Sequence, residues 1–161
     1  MPQHHDTEVL IDCLAKTPLI LSDFLQEIPS DRLKERRRPG KWSIHENVCH
    51  LAQAEKMIHE RFERFRDEVC PVFSPYLPGA TVSDSDLMDL NLSEEVNSFT
   101  ELRAKTVKLL KRYDDSVWGK SAEHPQYYTY NARILLRHTL MHDHFHMYRI
   151  EELWLSKPEF L

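Results

Sequence analysis

The sequence predicts an all-α fold: a four-helix bundle with long connecting loops, formed by residues 1–161 as one domain. Three observations carry this prediction. Four long segments repeat apolar residues at steps of three and four, the period of an amphipathic helix. Only three glycines occur in 161 residues, too few for a turn-dense sandwich. No strand pattern competes with the helical one. Four amphipathic helices bury their stripes most simply against one another, and a chain of this length encloses a core without disulfide or metal staples.

The first helix is expected within TEVLIDCLAKTPLILSDFLQEI, where Val9, Leu10, Cys13, Leu14, Leu21, Phe24, Leu25 and Ile28 define a broad apolar face. Pro18 is expected to kink or split it, and Pro29 to end it. DRLKERRRPGKW follows as a basic connection containing Pro39-Gly40, with Arg36, Arg37 and Arg38 expected in solvent. The second helix is expected to start at Ser43, because Ser43 and Glu46 have the spacing of a capping box. Its inward face is Val48, Leu51, Ala54, Met57, Ile58, Arg61 and Phe65. Residues 71–92 hold three prolines and no period, a long loop of the kind that often carries function. The third helix, capped by Asn91 or Ser93, is expected to run to Trp118 with Val96, Phe99, Leu102, Thr106, Leu109, Leu110 and Tyr113 inward. GKSAEHPQYYTYN is a further loop. The last helix runs from about Tyr130 to Leu155 with Leu135, Thr139, His142, His146, Ile150 and Leu153 in its stripe.

Composition narrows the function. A net charge of -5 argues against a nucleic-acid binder resting on bulk electrostatics. The scarcity of glycine argues against a Gly-rich phosphate cradle. Cys13, Cys49 and Cys70 are odd in number, far apart and without a CxxC pair, so a reducing, cytoplasmic setting is expected. No apolar run reaches membrane-spanning length, and MPQHHDTEV lacks the pattern of a secretory signal. His4 and His5 are given no function.

The histidines are the informative residues. His138, His142, His144 and His146 fall within nine residues. His142 and His146 are one turn apart on the apolar stripe, with Cβ atoms about 6 Å apart, so both rings can reach one metal ion. A facing helix must supply a third ligand, and His50 is the candidate, being on the apolar side of the second helix. His45 lies about 140° and His59 about 180° from it, so both are expected in solvent. His144 lies about 200° from His142 and points out. Three neutral imidazoles suit zinc, nickel, cobalt or ferrous iron and leave positions open, as in catalytic sites. The competing reading is a set of core histidines satisfied by hydrogen bonds.

Two motifs point to a family. RPGKWSIHENVCHLAQAE, with Gly40, Lys41, Trp42, Ser43, Glu46, His50, Leu51 and Glu55, resembles the first signature of the DinB-like superfamily. LLRHTLMHDHFHMYRIEEL, with His142, Asp143, His146 and Met147, resembles its second, and the two stand in the family's order. The resemblance covers essentially the whole chain. It implies a four-helix bundle that holds a divalent metal, zinc or nickel foremost, through His50, His142 and His146. Members resemble S-transferases that use a low-molecular-weight thiol such as bacillithiol, and a mycothiol-dependent isomerase; others are described as metal-dependent hydrolases. Homodimers are frequent, and the family name implies no DNA binding.

The expected function is therefore a metal-dependent S-transferase acting on an electrophilic small molecule, with no nucleic-acid or membrane partner. The alternatives are a metal-dependent hydrolase or a non-enzymatic bundle that binds a ligand or partner. No cysteine of the chain is placed to serve as the thiol: Cys49 is turned about 100° from His50. Trp42 is expected to anchor its loop, Ser43 and Glu46 to cap, His138 to orient a ligand, and Asp143 to be helix-surface charge. Tyr127, Tyr128 and Tyr130, with the 71–92 loop, are candidates to line the substrate mouth.

Overall fold

The computed structural model describes residues 5–75 and 86–161, apart from the side chain of His5. The four long helices are α1 (His5–Glu27), α2 (Ile44–Asp67), α3 (Leu92–Leu110) and α5 (Ala132–Leu155). Between the last two lie one helical turn, α4 (Asp115–Trp118), and two-residue strands β1 (Ser121–Ala122) and β2 (Tyr130–Asn131). α1 packs against α3 and α5, and α2 packs against the same two helices. Thus α1 and α2 stand at opposite corners of the bundle.

Local chemistry sets the helix starts. Ser43 accepts from the Glu46 amide while the Glu46 carboxylate accepts from the Ser43 amide, the expected capping box. Asn91 caps α3 and Asn131 caps α5. The third helix stops short of Trp118. Asp114 takes an extended backbone and accepts from the amides of Ser116 and Val117, which starts α4 as a separate turn. The loop after it is not wholly irregular, since Ala122 pairs with Tyr130 and Ser121 with Asn131.

Two expectations for α1 change. Val9 and Cys13 face solvent, and the inward stripe is instead Thr7, Ile11, Leu14, Thr17 and Leu21. Pro18 does not split the helix. A proline has no amide hydrogen for the carbonyl four residues back. That carbonyl, on Leu14, accepts instead from Arg103 Nη1 at 3.2 Å and from the Thr17 hydroxyl at 3.0 Å.

Arg103 was not foreseen as a core residue. It is 1% exposed and bonds Glu55 Oε2 at 2.7 Å, Asp143 Oδ2 at 2.6 Å and Thr17 Oγ1 at 2.7 Å. One guanidinium thereby ties together α1, α2, α3 and α5. Burial works against its charge, but Glu55 and Asp143 more than offset this and hold it protonated. The Thr106 hydroxyl donates to Glu55 Oε1 at 2.8 Å, and His59 Nδ1 lies 3.0 Å from that hydroxyl. His59 is therefore half-buried and bonded rather than solvated. This polar layer divides two apolar clusters. One contains Leu14, Ile58, Phe62, Val107 and Leu136; the other contains Leu21, Leu51, Phe99, Ile150 and Leu153.

The basic connection is also less solvated than expected. Arg36 is exposed, as expected, yet makes a two-pronged ion pair with the buried Glu46 carboxylate, and the half-buried Arg37 donates to the carbonyls of Leu153 and Ser156 at the end of α5. Cations suit that end of a helix, where carbonyls lack partners. His45 is buried, 3% exposed, rather than in solvent. The turn Leu87–Asp89, far from it in sequence, packs on α2.

Replacing Arg103 by Met strands two buried carboxylates, so a loss of about 3–5 kcal/mol in unfolding free energy is expected. Ser43→Ala removes one cap bond and should cost about 1 kcal/mol. Urea denaturation of both variants checks the contrast; equal small losses would mean that the buried network is not holding the helices.

Candidate metal centre

His50 comes from α2, and His142 and His146 come from successive turns of α5. The structure brings these three expected residues together: one ligand atom from each lies within 4.8 Å of the other two. His50 Nε2 and His142 Nε2 are 3.0 Å apart. Nitrogens bound to one zinc ion stand about 3.3 Å apart, given bonds of about 2.0–2.1 Å. The donor set therefore fits a single divalent ion.

The protonation states fit as well. His146 Nδ1 lies 2.8 Å from Asn47 Oδ1. An amide oxygen only accepts, so Nδ1 carries the hydrogen and Nε2 keeps its lone pair. Burial, reinforced by His142, pushes His50 down to about 3. Burial, then His142, His50 and Arg149, pushes His146 down to about 2. Burial also lowers His142, opposed by Asp143. All three rings are thus neutral near pH 7, the form that ligates metal.

Trp42 does more than anchor its loop. Its ring stands 4.7 Å from that of His50 and lies stacked at 6.0 Å on that of His146. Asn47 was missed in the sequence, although it lies one turn before His50 on the same helix. Asp143 is not surface charge; it is 1% exposed and belongs to the Arg103 network. Its position beside His142 is explained by the angle of about 100° between neighbouring helix residues, which sends one side chain to the core and the next to the triad.

A cavity of about 200 Å³ adjoins His142. Met57, Ile58 and Leu135 give it apolar walls, and Arg61, His124, Tyr127, Tyr130 and His138 give it polar ones. His138, expected to orient a ligand, makes no hydrogen bond to the triad among the described residues. Its ring packs at 5.1 Å on Tyr127, which in turn lies 4.7 Å from His124. His124 was not anticipated; its Nδ1 accepts from the Gln126 amide at 3.2 Å, leaving Nε2 as the site of its hydrogen. Tyr127 and Tyr130 line the cavity as expected, whereas Tyr128 is fully exposed. The 71–92 loop contributes no described wall to it, and residues 76–85 lie outside the described residues. His144 is exposed, as expected, and Cys49 is buried with its thiol pushed up to about 12 by burial.

With this geometry in place, the comparisons identify the family. Residues 14–150 match the model of the DinB superfamily, and the chain belongs to that superfamily. It is 25% identical over 147 residues to YfiT of Bacillus subtilis, covering 89% of this chain and 81% of that one; that relative's name assigns it provisionally to metal-dependent hydrolases. A solved structure of YfiT, described as a probable metal-dependent hydrolase with an unusual four-helix bundle topology, superposes with a TM-score of 0.85. It shares 23% identity and covers 95% of this chain and 88% of its own, so the likeness there is one of fold. Among the described residues no helix is long and apolar enough to cross a membrane.

The depressed histidines give a pH signature to the metal-free protein. Their folded pKa values lie below the unfolded value near 6.5, so the unfolded chain binds more protons in between. Stability should be full above about pH 6.5 and fall steadily as pH drops towards 3. Denaturation midpoints measured across that range should fall less steeply for His50→Asn and His146→Asn; identical slopes would contradict the buried neutral assignment.

Proposed function

We propose that the protein is a divalent-metal-dependent enzyme, with zinc or nickel the expected ion, held by His50, His142 and His146. One observation carries this reading: three neutral imidazoles from two helices converge, two of them buried and His142 half-buried, and Asn47 orients one of them for ligation. Three protein ligands leave coordination positions open, as catalytic sites require. When bound there, the cation supplies acidification of a nucleophile placed beside it, whether a thiol or water.

The favoured form is an S-transferase that joins a low-molecular-weight thiol, bacillithiol being the model from the family resemblance, to an electrophilic small molecule in the cavity. Met57, Ile58 and Leu135 exclude water from the substrate, while Tyr127 and Tyr130 offer it aromatic faces. Burial lowers both His124 and His138, aided by Arg61 and Arg137 respectively, so both rings are neutral. His138 can take up the nucleophile's proton or return it to a leaving group, while His124, its Nδ1 already accepting from Gln126, offers the cavity its Nε2 hydrogen as a donor. No carboxylate lines this cavity among the described residues, and a thiol (pKa about 8.5) needs far less help to ionise than water does (about 15.7). Hydrolysis remains the second reading, supported by the description given to YfiT.

Metal analysis of protein purified without a histidine tag should find about one divalent ion per chain, as a single three-histidine site requires. His50→Ala should lose that ion while keeping its helical circular dichroism, and Asn47→Leu should weaken metal affinity about 10–100-fold. Thiols should then be screened against electrophiles with the loaded protein. A wild type that neither carries nor takes up zinc or nickel would overturn the proposal.

A further inference from the structure

A second opening meets the triad at His146 rather than His142. It is a groove of about 380 Å³ walled by Arg38, Lys41, Trp42, Phe145, His146 and Arg149. Three of these are cations, and none of the described residues lining the groove is acidic. Among the described residues the carboxylate paired with these cations is Glu152, which pairs with Arg149 and lies 4.0 Å from Arg38. Lys41 is exposed and makes no ion pair among the described residues. Three cations less one carboxylate leave two positive charges, in a chain whose net charge is -5.

The aromatic residues of the groove touch the triad directly. Phe145 meets the His146 ring edge-on at 5.2 Å, and the Arg149 guanidinium lies 5.7 Å above Phe145. Trp42 belongs both to the groove and to the packing around His50 and His146. Cations along a concave wall concentrate anions, and guanidinium and ammonium groups are the usual donors to carboxylate and phosphate.

We propose that this groove holds the acidic end of a second small-molecule reactant, a dianion, whose other end reaches the histidine cluster alongside Trp42. The inference rests on the metal-centre reading above and deepens it: the centre has two entrances of opposite character. The aromatic and apolar cavity at His142 admits one reactant, and the cationic groove at His146 admits the other. Such a division suits group transfer between two molecules better than hydrolysis of one.

The test is an NMR titration of the ¹⁵N-labelled, metal-free full chain with succinate, with inorganic phosphate, and with uncharged succinamide. One or both anions should saturably shift the signals of Lys41, Trp42 and Arg149, and which of them does so separates carboxylate from phosphate recognition. Succinamide should shift none of them. The Lys41→Ala/Arg149→Ala double variant should bind about tenfold more weakly with the rest of its spectrum unchanged, and added salt should weaken wild-type binding. Shifts scattered over the surface, shifts caused equally by succinamide, or binding retained by the double variant would overturn the proposal. With cobalt(II) added, the protons of bound succinate should broaden in the wild type and not in His50→Ala; groove binding without broadening would sever the groove from the centre. If the chain takes up no metal yet binds the anion in the groove, the metal reading fails by itself.

Discussion

The buried guanidinium of Arg103 is the constraint on which the rest of the bundle depends. It bonds to groups of α1, α2 and α5 from its own place on α3, and it lies between two apolar clusters that would otherwise be free to slide or rotate. Hydrophobic burial is non-directional and tolerates several registers of packed helices. A charge in that setting does not, because each displaced partner leaves an unpaired polar group away from water. Pro18 takes part in the same constraint. By removing one amide hydrogen from α1, it leaves the Leu14 carbonyl to accept from Arg103.

The clamp also sets the site. Asp143 must face the core to meet Arg103, so its neighbour His142 is turned toward α2, and His146 follows one turn later. Glu55 fixes α2 in the same layer, and His50 stands five residues before it. The rotation of the two helices that carry the histidine cluster is thus settled by a salt-bridge network in a neighbouring layer of the bundle. Around the triad, Asn47 selects a tautomer and Trp42 covers two rings. Desolvation then keeps all three imidazoles neutral. Membership of the DinB superfamily agrees with this arrangement, and the chemistry proposed for it follows from the donor set and from the two unlike openings beside it.

By itself, the sequence determined what repeats along one helix. The 3.6-residue period located four long helices, the Ser43–Glu46 box marked the start of α2, and the four-residue step placed His142 and His146 on one face. His50 emerged because it alone among the α2 histidines was placed on the apolar side. These properties depend on neighbours three or four residues away, so a single chain segment contains the information. What only the tertiary structure decided is what depends on other segments. His45 is buried because a turn some forty residues later covers it, and His59 is held by Thr106 of α3. Arg103 and Asp143, charged residues that composition places in solvent, are buried because their partners come from other helices. The pairing of Asn47 with His146 and the two openings beside the triad have the same origin: they are made by side chains that meet across helices, and no periodicity within one helix encodes which side chains those are.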